Sequence, residues 1–307
     1  MSSSSCDDGL FHHRDVLVDR LLIRAVDAGD RTAPSVLLLH GWPENWKAWN
    51  GVMQELCREL HVIAIDLPGI GASLSAPPAY DKRTLAGIIG RLLETLELTD
   101  VTLVGSDIGG QIVYAAVQDG VPRVSRAVIA SVAIPGVDPW QDVIANPYLW
   151  HFAFHSVPRL PEHLISGNVA EYFDFFYDQL SADPERIASH LRHAFVSAYT
   201  APTALRTGLE WYRAFPVDAR ENAERPHRAN PIPVLYVRGS EDRGQPIERY
   251  LDGLEASGLT NVTGKEIADS GHFVAIEQPE ALAREIAAFI GVQPRQVAGS
   301  PQAILVS

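Results

Sequence analysis

The chain has 307 residues, and its 46% of hydrophobic and 21% of charged residues are typical of a globular protein that buries a large core. Its formal net charge of -13 argues against a nucleic-acid partner or an anionic membrane surface, because both attract basic patches. Two cysteines cannot form a disulfide framework, and no metal-ligand spacing is present.

The terminal segments and the hydropathy of the chain indicate where in the cell the protein is expected. Residues 1–9 are rich in Ser and Asp and lack the basic start and apolar stretch of a secretory signal. No run of about 18 apolar residues is present to form a membrane span. We therefore expect a cytoplasmic protein that does not associate with a membrane, with flexible tails at 1–9 and 293–307.

Strand-like and helix-like segments alternate along the first part of the chain. Residues 16–26 predict a hairpin or two short strands, since apolar and β-branched residues flank a break near Asp19 and Arg20. Short all-apolar runs predict strands that are buried on both faces, and apolar residues at helical spacing predict helices between them. These strands are expected at 35–39, 62–65, 101–104 and 124–134, and the helices at 46–60, 85–96 and 109–117.

The alternation stops from about residue 135 to 230, where the sequence is helical, aromatic and interrupted by prolines. It then resumes, and alternation of this kind predicts βαβ units and a mainly parallel sheet. The predicted fold class is α/β, with a core at 10–136 and 230–292 and a helical insertion at 137–229, which we call the lid. The resumed elements are a strand at 233–237, a helix at 247–255, a strand at 262–267 and a helix at 279–290.

A glycine-framed turn lies between the strand at 101–104 and the helix that follows it. The segment Val104-Gly105-Ser106-Asp107-Ile108-Gly109-Gly110 has the frame of a nucleophile elbow, with aspartate where serine usually stands. Glycines remove side chains that would clash at so sharp a turn, and the nearby helix N-terminus favours the ionised carboxylate. An Asp that only caps the helix is the alternative.

Together with other motifs in the right order, this turn resembles the α/β-hydrolase superfamily, within the epoxide hydrolase and haloacid/haloalkane dehalogenase branch. The resemblance extends from about Leu10 to Ile290. It implies an α/β-hydrolase fold, which is a mostly parallel central sheet flanked by helices with an inserted helical lid. The motifs that carry it are His40-Gly41-Trp42-Pro43-Glu44, Asp66-Leu67-Pro68-Gly69-Ile70-Gly71, the elbow, and Asp269-Ser270-Gly271-His272-Phe273.

The resemblance also assigns roles around the nucleophile. The superfamily order of nucleophile, acid and histidine makes Asp107 the nucleophile, Asp242 the orienting acid and His272 the base, with Glu241 as the runner-up for the acid. Some relatives place the acid after the earlier strand, but the corresponding stretch here, residues 130–134, offers no carboxylate for that role. The backbone N–H groups of Trp42 and Ile108 are expected to form an oxyanion hole. We interpret His40 as a structural residue that bonds to this loop.

Two side chains of the lid point to the reaction. In relatives, paired lid groups hydrogen-bond the epoxide oxygen, and His151 and Tyr212 match a bacterial subgroup that uses His and Tyr. Packing within an aromatic lid is the alternative for both residues. Trp150, Phe152 and Trp211 are expected to line the substrate pocket.

Rival reactions lack expected groups. Related haloalkane dehalogenases usually carry Trp where this chain has Ile108, and fluoroacetate dehalogenases carry Arg at the positions of Ile108 and Gln111 and Trp at that of Phe152. The predicted activity is therefore hydrolysis of an epoxide to a vicinal diol through an ester on Asp107. A dehalogenase with the same nucleophile, or a non-catalytic binding protein of this fold, stays open.

The resemblance implies no cofactor and no metal. The expected partner is a small, apolar epoxide, with no nucleic acid and no membrane, and a homodimer is compatible with the sequence. The sequence does not name the epoxide or its stereochemistry.

Overall fold

The computed structural model describes residues 10–226 and 228–292. Within them lies one eight-stranded sheet with the order β1-β2-β4-β3-β5-β6-β7-β8. The strand β2 runs antiparallel to both its neighbours, whereas every pair from β4 to β8 is parallel. The strands are β1 (His12–Val18), β2 (Leu21–Ala28), β3 (Ser35–Leu39), β4 (His61–Ile65), β5 (Val101–Ser106), β6 (Val124–Ala130), β7 (Val234–Gly239) and β8 (Val262–Ile267).

The central strands are apolar because both faces of the sheet are covered. Every residue of β3, β4, β5 and β7 is buried, as expected for parallel strands between two helical layers. The edge strand β8 instead exposes Lys265 and Glu266, and charged side chains on an edge discourage pairing with another chain.

The helices fall into a core set and a set inserted between β6 and β7. The core helices are α1 (Asn50–Leu56), α2 (Lys82–Thr95), α3 (Ile108–Asp119), α11 (Ile247–Ala256), α12 (Val274–Glu277) and α13 (Pro279–Ile290). The inserted helices are α4 (Trp140–Ile144), α5 (His151–Ser156), α6 (Leu160–Ile165), α7 (Val169–Leu180), α8 (Ser189–Tyr199), α9 (Pro202–Arg213) and α10 (Phe215–Glu224). Short 3₁₀ turns lie at Trp46–Trp49, Pro147–Leu149 and Pro184–Arg186.

The α/β fold class predicted from the sequence is confirmed. Most element boundaries shift by a few residues, and two of these shifts have a clear structural cause. The strand expected at 124–134 ends at Ala130, because Ser131 takes a left-handed φ of 47° and turns the chain away from the sheet. The helix expected at 46–60 is a 3₁₀ turn followed by α1, which ends at Leu56 because the chain must turn back into β4. The tails predicted at 1–9 and 293–307 lie outside the described residues.

A buried ion pair ties the lid to the core. Lys82, at the start of α2, donates from Nζ to Asp218 Oδ2 at 2.7 Å and to the carbonyl of Trp211 at 2.8 Å. Both charged side chains are almost fully buried, so removing either one would leave an uncompensated charge in the interior. This contact fixes the end of α9 against α2.

Among the described residues, no helix is long and apolar enough to cross a membrane.

Candidate active site

Asp107 stands at the centre of a strained turn between β5 and α3. Its φ of 52° and ψ of -123° are rarely adopted by a residue with a side chain. The turn closes because its glycines lack Cβ atoms: one on Gly105 would lie 2.3 Å from the backbone of Gly109, and one on Gly109 would lie 2.2 Å from the carbonyl oxygen of Leu39. The backbone N–H of Asp107 donates to Ala130 at 3.1 Å, which ties the turn to the end of β6. Strain of this kind persists only where the surroundings hold it, which is common at functional sites.

One carboxylate oxygen of Asp107 already occupies the expected oxyanion hole. The backbone N–H of Trp42 donates to Asp107 Oδ1 at 2.8 Å. Ile108 is the first residue of α3, so its N–H belongs to the helix end where backbone donors have no partner within the helix. The Trp42–Pro43 peptide bond is cis.

His40 supports this loop, as interpreted from the sequence. Its Nδ1–H donates to the carbonyl of Gly41 at 2.8 Å, and its Nε2 accepts the N–H of Leu67 at 3.0 Å. Burial lowers the pKa of His40 to about 4, against the opposing hydrogen bond to Gly41, so the ring is neutral at neutral pH. With both nitrogens used in the loop, the ring has a structural role.

Glu44 is a buried carboxyl group next to the nucleophile that the sequence reasoning did not single out. Its Oε2 accepts the N–H of Gly41 at 3.0 Å. Burial raises the pKa of Glu44 to about 7, the hydrogen bond from Gly41 opposes this rise, and the charge of Asp107 adds to it. The signal in the sequence was the acidic residue that ends the oxyanion-loop motif. Acidic residues are rarely buried unless they are paired.

His272 lies between the two aspartates predicted to work with it. Its Nε2 is 3.7 Å from Asp107 Oδ2, and its Nδ1 is 3.9 Å from Asp242 Oδ2. Burial opposes the charged form of the ring, but the adjacent carboxylate of Asp242 and the charges of Asp107 and Glu44 raise the pKa of His272 to about 9. Burial acts to raise the pKa of Asp242, but the adjacent His272 outweighs that effect, so the pKa is lowered. Glu241, the runner-up for the acid, is exposed.

A second buried carboxylate, Glu277 on α12, holds the loop that carries His272. It accepts the N–H of Gly271 at 3.1 Å with both oxygens and the N–H of Phe273 at 3.2 Å, which are the two residues flanking the base. The same group accepts the N–H of Ala182 from the lid at 2.7 Å. The sequence did not single out Glu277, because its contact with Ala182 comes from a distant part of the chain and its contacts with Gly271 and Phe273 depend on how the loop folds. The only signal was an acidic residue one helical turn after the base.

The two lid residues predicted to bind the epoxide oxygen, His151 and Tyr212, lie next to each other and line the same cavity as Asp107. Their ring centroids are 5.6 Å apart, and both side chains are buried. Burial, with a smaller contribution from His272, lowers the pKa of His151 to about 3. Burial also raises the pKa of Tyr212 well above its usual value, with a smaller contribution from Asp107. At neutral pH both groups are therefore neutral hydrogen-bond donors.

His155, one turn after His151 on α5, supports the lid pair. Its Nε2 bonds to the hydroxyl of Tyr172 at 2.7 Å, and its ring packs edge-on against Tyr212 with centroids 4.4 Å apart. The i, i+4 spacing of His151 and His155 placed both rings on one face of the helix, a signal that the sequence reasoning did not use.

An aromatic cavity of about 970 Å³, including its open mouth, surrounds the nucleophile. Of the three predicted pocket residues, Phe152 lines this cavity, but Trp150 and Trp211 do not. Trp150 is 42% exposed, and Trp211 is fully buried behind the cavity wall. Each tryptophan precedes a lining residue on a helix. Because successive residues of an α-helix point about 100° apart, adjacent side chains face different surroundings. Aromatic residues that share the lining are Trp42, Trp140, Phe176, Phe215 and Tyr236.

No group of three or more His, Cys, Asp or Glu residues is arranged to hold a metal ion within residues 10–226 and 228–292. The site brings together a carboxylate that accepts a backbone N–H, a histidine between two carboxylates, and two neutral side chains of the insertion.

Comparison with known proteins finds a matching family and similar structures. A family model described as "Alpha/beta hydrolase family" matches residues 36–285. The soluble epoxide hydrolase of Corynebacterium sp. (strain C12) is 29% identical, covering 87% of this chain and 93% of its own. The solved structure of wild-type Cfl2 from Burkholderia cenocepacia superimposes with a TM-score of 0.85 at 33% identity, covering 93% of this chain and 97% of that one. Epoxide hydrolase CorEH superimposes with a TM-score of 0.80 at 27% identity, covering 92% and 99%.

Proposed function

The chain belongs to the alpha/beta hydrolase family, and from that premise we propose that this hydrolase opens an epoxide to a vicinal diol through an ester formed on Asp107. One observation carries the proposal: a carboxylate occupies the nucleophile position, and two neutral proton donors, His151 and Tyr212, line the same cavity. Opening an epoxide requires a nucleophile at carbon and a donor at oxygen, because the leaving alkoxide is strongly basic.

In the first step, Oδ2 of Asp107 attacks a ring carbon, and the C–O bond of the epoxide breaks. The other oxygen, Oδ1, is held by the N–H of Trp42 at 2.8 Å and becomes the carbonyl oxygen of the ester. Tyr212 and His151 hydrogen-bond the epoxide oxygen, and the hydroxyl of Tyr212 gives it a proton as the bond breaks, which leaves Tyr212 as a tyrosinate. The cavity then contains a hydroxyalkyl ester.

In the second step, His272 takes a proton from water, and the water attacks the ester carbonyl. The charges that raise the pKa of His272 to about 9 include that of Asp107, and this charge disappears when the ester forms. The pKa of His272 therefore falls, so the ring gives up its proton, which restores Tyr212, and becomes a base when a base is needed. The N–H groups of Trp42 and Ile108 stabilise the tetrahedral oxyanion. Its collapse breaks the bond to the substrate oxygen, the leaving alkoxide takes the proton from His272 to give the diol, and Asp107 returns its proton to His272.

We also propose that residues 137–229 act as a lid over the core at 10–136 and 230–292. The lid supplies His151 and Tyr212, and the core supplies Asp107, Asp242 and His272. The substrate is a small molecule, since the site is a concave, largely apolar cavity. The cytoplasmic location remains a prediction.

A single turnover in H₂¹⁸O with excess protein distinguishes this route from direct attack of water on the epoxide. Water enters at the ester carbonyl, so the heavy oxygen is expected in the carboxylate of Asp107, and the first diol formed should contain none of it. Mass spectrometry of the peptide that contains Asp107 and of the diol gives both answers. The Asp107→Ala variant, which lacks the nucleophile, should not turn over at all. Heavy oxygen in the first diol would refute the ester.

A further inference from the structure

The buried ion pair of Lys82 and Asp218 lies where the ends of three helices meet. Lys82 is the first residue of α2, and Asp218 lies in the first turn of α10. Trp211, whose carbonyl accepts a hydrogen bond from Lys82, lies in the last turn of α9. The side chains of the ion pair are 4% and 3% exposed. We call these three residues the Lys82 junction.

Each hydrogen bond of the junction satisfies a group at a helix end. The first N–H groups and the last carbonyl groups of a helix have no partner within it. The backbone N–H of Lys82 donates to Asp218 Oδ1 at 2.8 Å, and the ammonium group donates to the carbonyl of Trp211 at 2.8 Å. A cation at the C-terminus of α9 and an anion at the N-terminus of α2 also suit the dipoles of these helices. The junction therefore holds the last turn of α9 against the core.

That last turn carries the lid donor Tyr212, which directly follows Trp211 in the chain. The ammonium group of Lys82 also lies 4.7 Å from the centroid of the Phe215 ring. This ring packs against Tyr212 with centroids 5.1 Å apart, and both rings line the cavity that contains Asp107. Lys82 therefore supports Tyr212 in two ways, through the adjacent peptide group and through the ring beside it.

The residue on the other side of Tyr212 makes contacts of a different kind. Arg213 donates to the two carboxylate oxygens of Glu162 at 2.7 and 2.9 Å and to the carbonyl of Val157 at 2.8 Å. All of these groups belong to the helical insertion, so Arg213 sets the position of α9 relative to α5 and α6. Lys82 comes from α2 of the core, and it connects the same turn to the part of the protein that carries the nucleophile.

We propose that Lys82 is a positioning residue, which holds the hydroxyl of Tyr212 where it can protonate the oxygen of an epoxide that Asp107 attacks. This inference rests on the proposed function. Lys82 does not itself line the cavity. A displacement of about 1 Å in a reacting group can cost ~10²-fold in rate, so a small shift of α9 is enough to slow the proton transfer. Because Tyr212 acts as the acid in ester formation, Lys82 should affect that step and not the hydrolysis by His272.

The test replaces the ion pair with neutral groups. Lys82→Met with Asp218→Asn removes both charges at once, so no unpaired charge is left in the interior. The new amide can still accept the N–H at the start of α2, but the methionine cannot donate to Trp211. In rapid-quench single turnovers, ester formation should slow about tenfold and ester hydrolysis less than about twofold. Arg83→Met is the matched control, because Arg83 is the next cation on α2, is 58% exposed and pairs with Asp119, and both rates should stay at the parent value.

A second variant covers the case in which the neutral pair does not fold. Lys82→Arg keeps the charge and the ion pair, and a small cavity of about 280 Å³ beside Lys82 and Asp218 leaves room for the larger group. The longer side chain displaces the carbonyl of Trp211, so ester formation should slow about threefold with hydrolysis unchanged.

The decisive comparison adds Tyr212→Phe to each of these variants. If Lys82 acts through the hydroxyl of Tyr212, its replacement should cost less than about twofold in ester formation once that hydroxyl is gone, because the two losses are then coupled. Losses that multiply, as they do for independent sites, would overturn the positioning role and leave the proposed function standing.

A measurement without turnover separates this role from the reaction. In protein labelled with 3-fluorotyrosine, fluorine NMR reports the surroundings of each phenol, and the Tyr212 signal is identified by its loss in Tyr212→Phe. That signal should shift in the Lys82 variants and keep its position in Arg83→Met. A Tyr212 signal that keeps its position in the Lys82 variants would overturn the positioning role. A shifted signal in a protein that turns over no epoxide would overturn the proposed function and leave the control of Tyr212 by Lys82 in place.

Discussion

Glu277→Gln tests whether a buried carboxylate outside the reacting set controls the position of the base. The side chain is only 4% exposed, and it accepts the N–H groups of Gly271, Phe273 and Ala182 at 2.7–3.2 Å. In the variant, the amide keeps one accepting oxygen but turns its NH₂ towards backbone donors. A lost hydrogen bond to a charged group is worth about 1.5–3 kcal/mol, and a buried donor left unpaired costs about 1–3 kcal/mol more.

The expected loss is therefore about 3 kcal/mol of unfolding free energy, which lowers Tm by roughly 5–10 °C in a chain of this length. The catalytic consequence is selective. Gly271 and Phe273 flank His272, and a displacement of about 1 Å in a reacting group can cost about 10²-fold in rate. Ester hydrolysis, which needs His272 as a base, should slow at least ~10-fold, and formation of the ester should change by less than about threefold.

Rapid-quench single turnovers with mass detection of the ester measure both steps, and thermal unfolding measures the stability. Glu280→Gln is the matched control, because Glu280 is an exposed acidic residue on the adjacent helix α13. It should resemble the parent in every measurement. If Glu277→Gln lowers Tm but leaves the ratio of the two rates unchanged, Glu277 stabilises the fold and does not position the base. If Tm also stays the same, the hydrogen bonds of Glu277 do not have the energies assigned to them.

Two further predictions concern the proposed reaction. His272→Gln should still form the ester on Asp107 but fail to hydrolyse it, because the base acts on water in the second step. Mass spectrometry should find a protein adduct of substrate mass, and no adduct in a variant that binds substrate would contradict the two steps. Tyr212→Phe should slow ester formation by ~10²–10⁴-fold, with a smaller loss if His151 still donates. The double variant with His151→Phe should therefore be slower than either single one. A double variant that opens epoxides at the parent rate would remove the lid donors from the mechanism.

Local chain geometry determined what the sequence predicted well. An aspartate in a turn between Gly105 and Gly109 is recognisable because so sharp a backbone excludes side chains on both sides. All-apolar strands alternating with helices predicted a mainly parallel sheet, because only strands that are covered on both faces can be apolar throughout. A helical insertion was predicted because strand-like runs stop at about residue 135 and resume at about 230. The structure has only helices and short turns between β6 and β7 in the residues that it describes.

Only the tertiary structure decided which of two neighbouring side chains faces the site. Asp242 approaches His272 and the adjacent Glu241 is exposed, while His151 and Tyr212 line the cavity and the preceding tryptophans do not. Neighbours on a helix point about 100° apart, and the packing partners that choose between them come from distant segments. The contact of Glu277 with Ala182 depends on the same long-range packing. The sequence alone therefore determined the fold class and the order of the elements, and packing between distant segments determined which side chains meet.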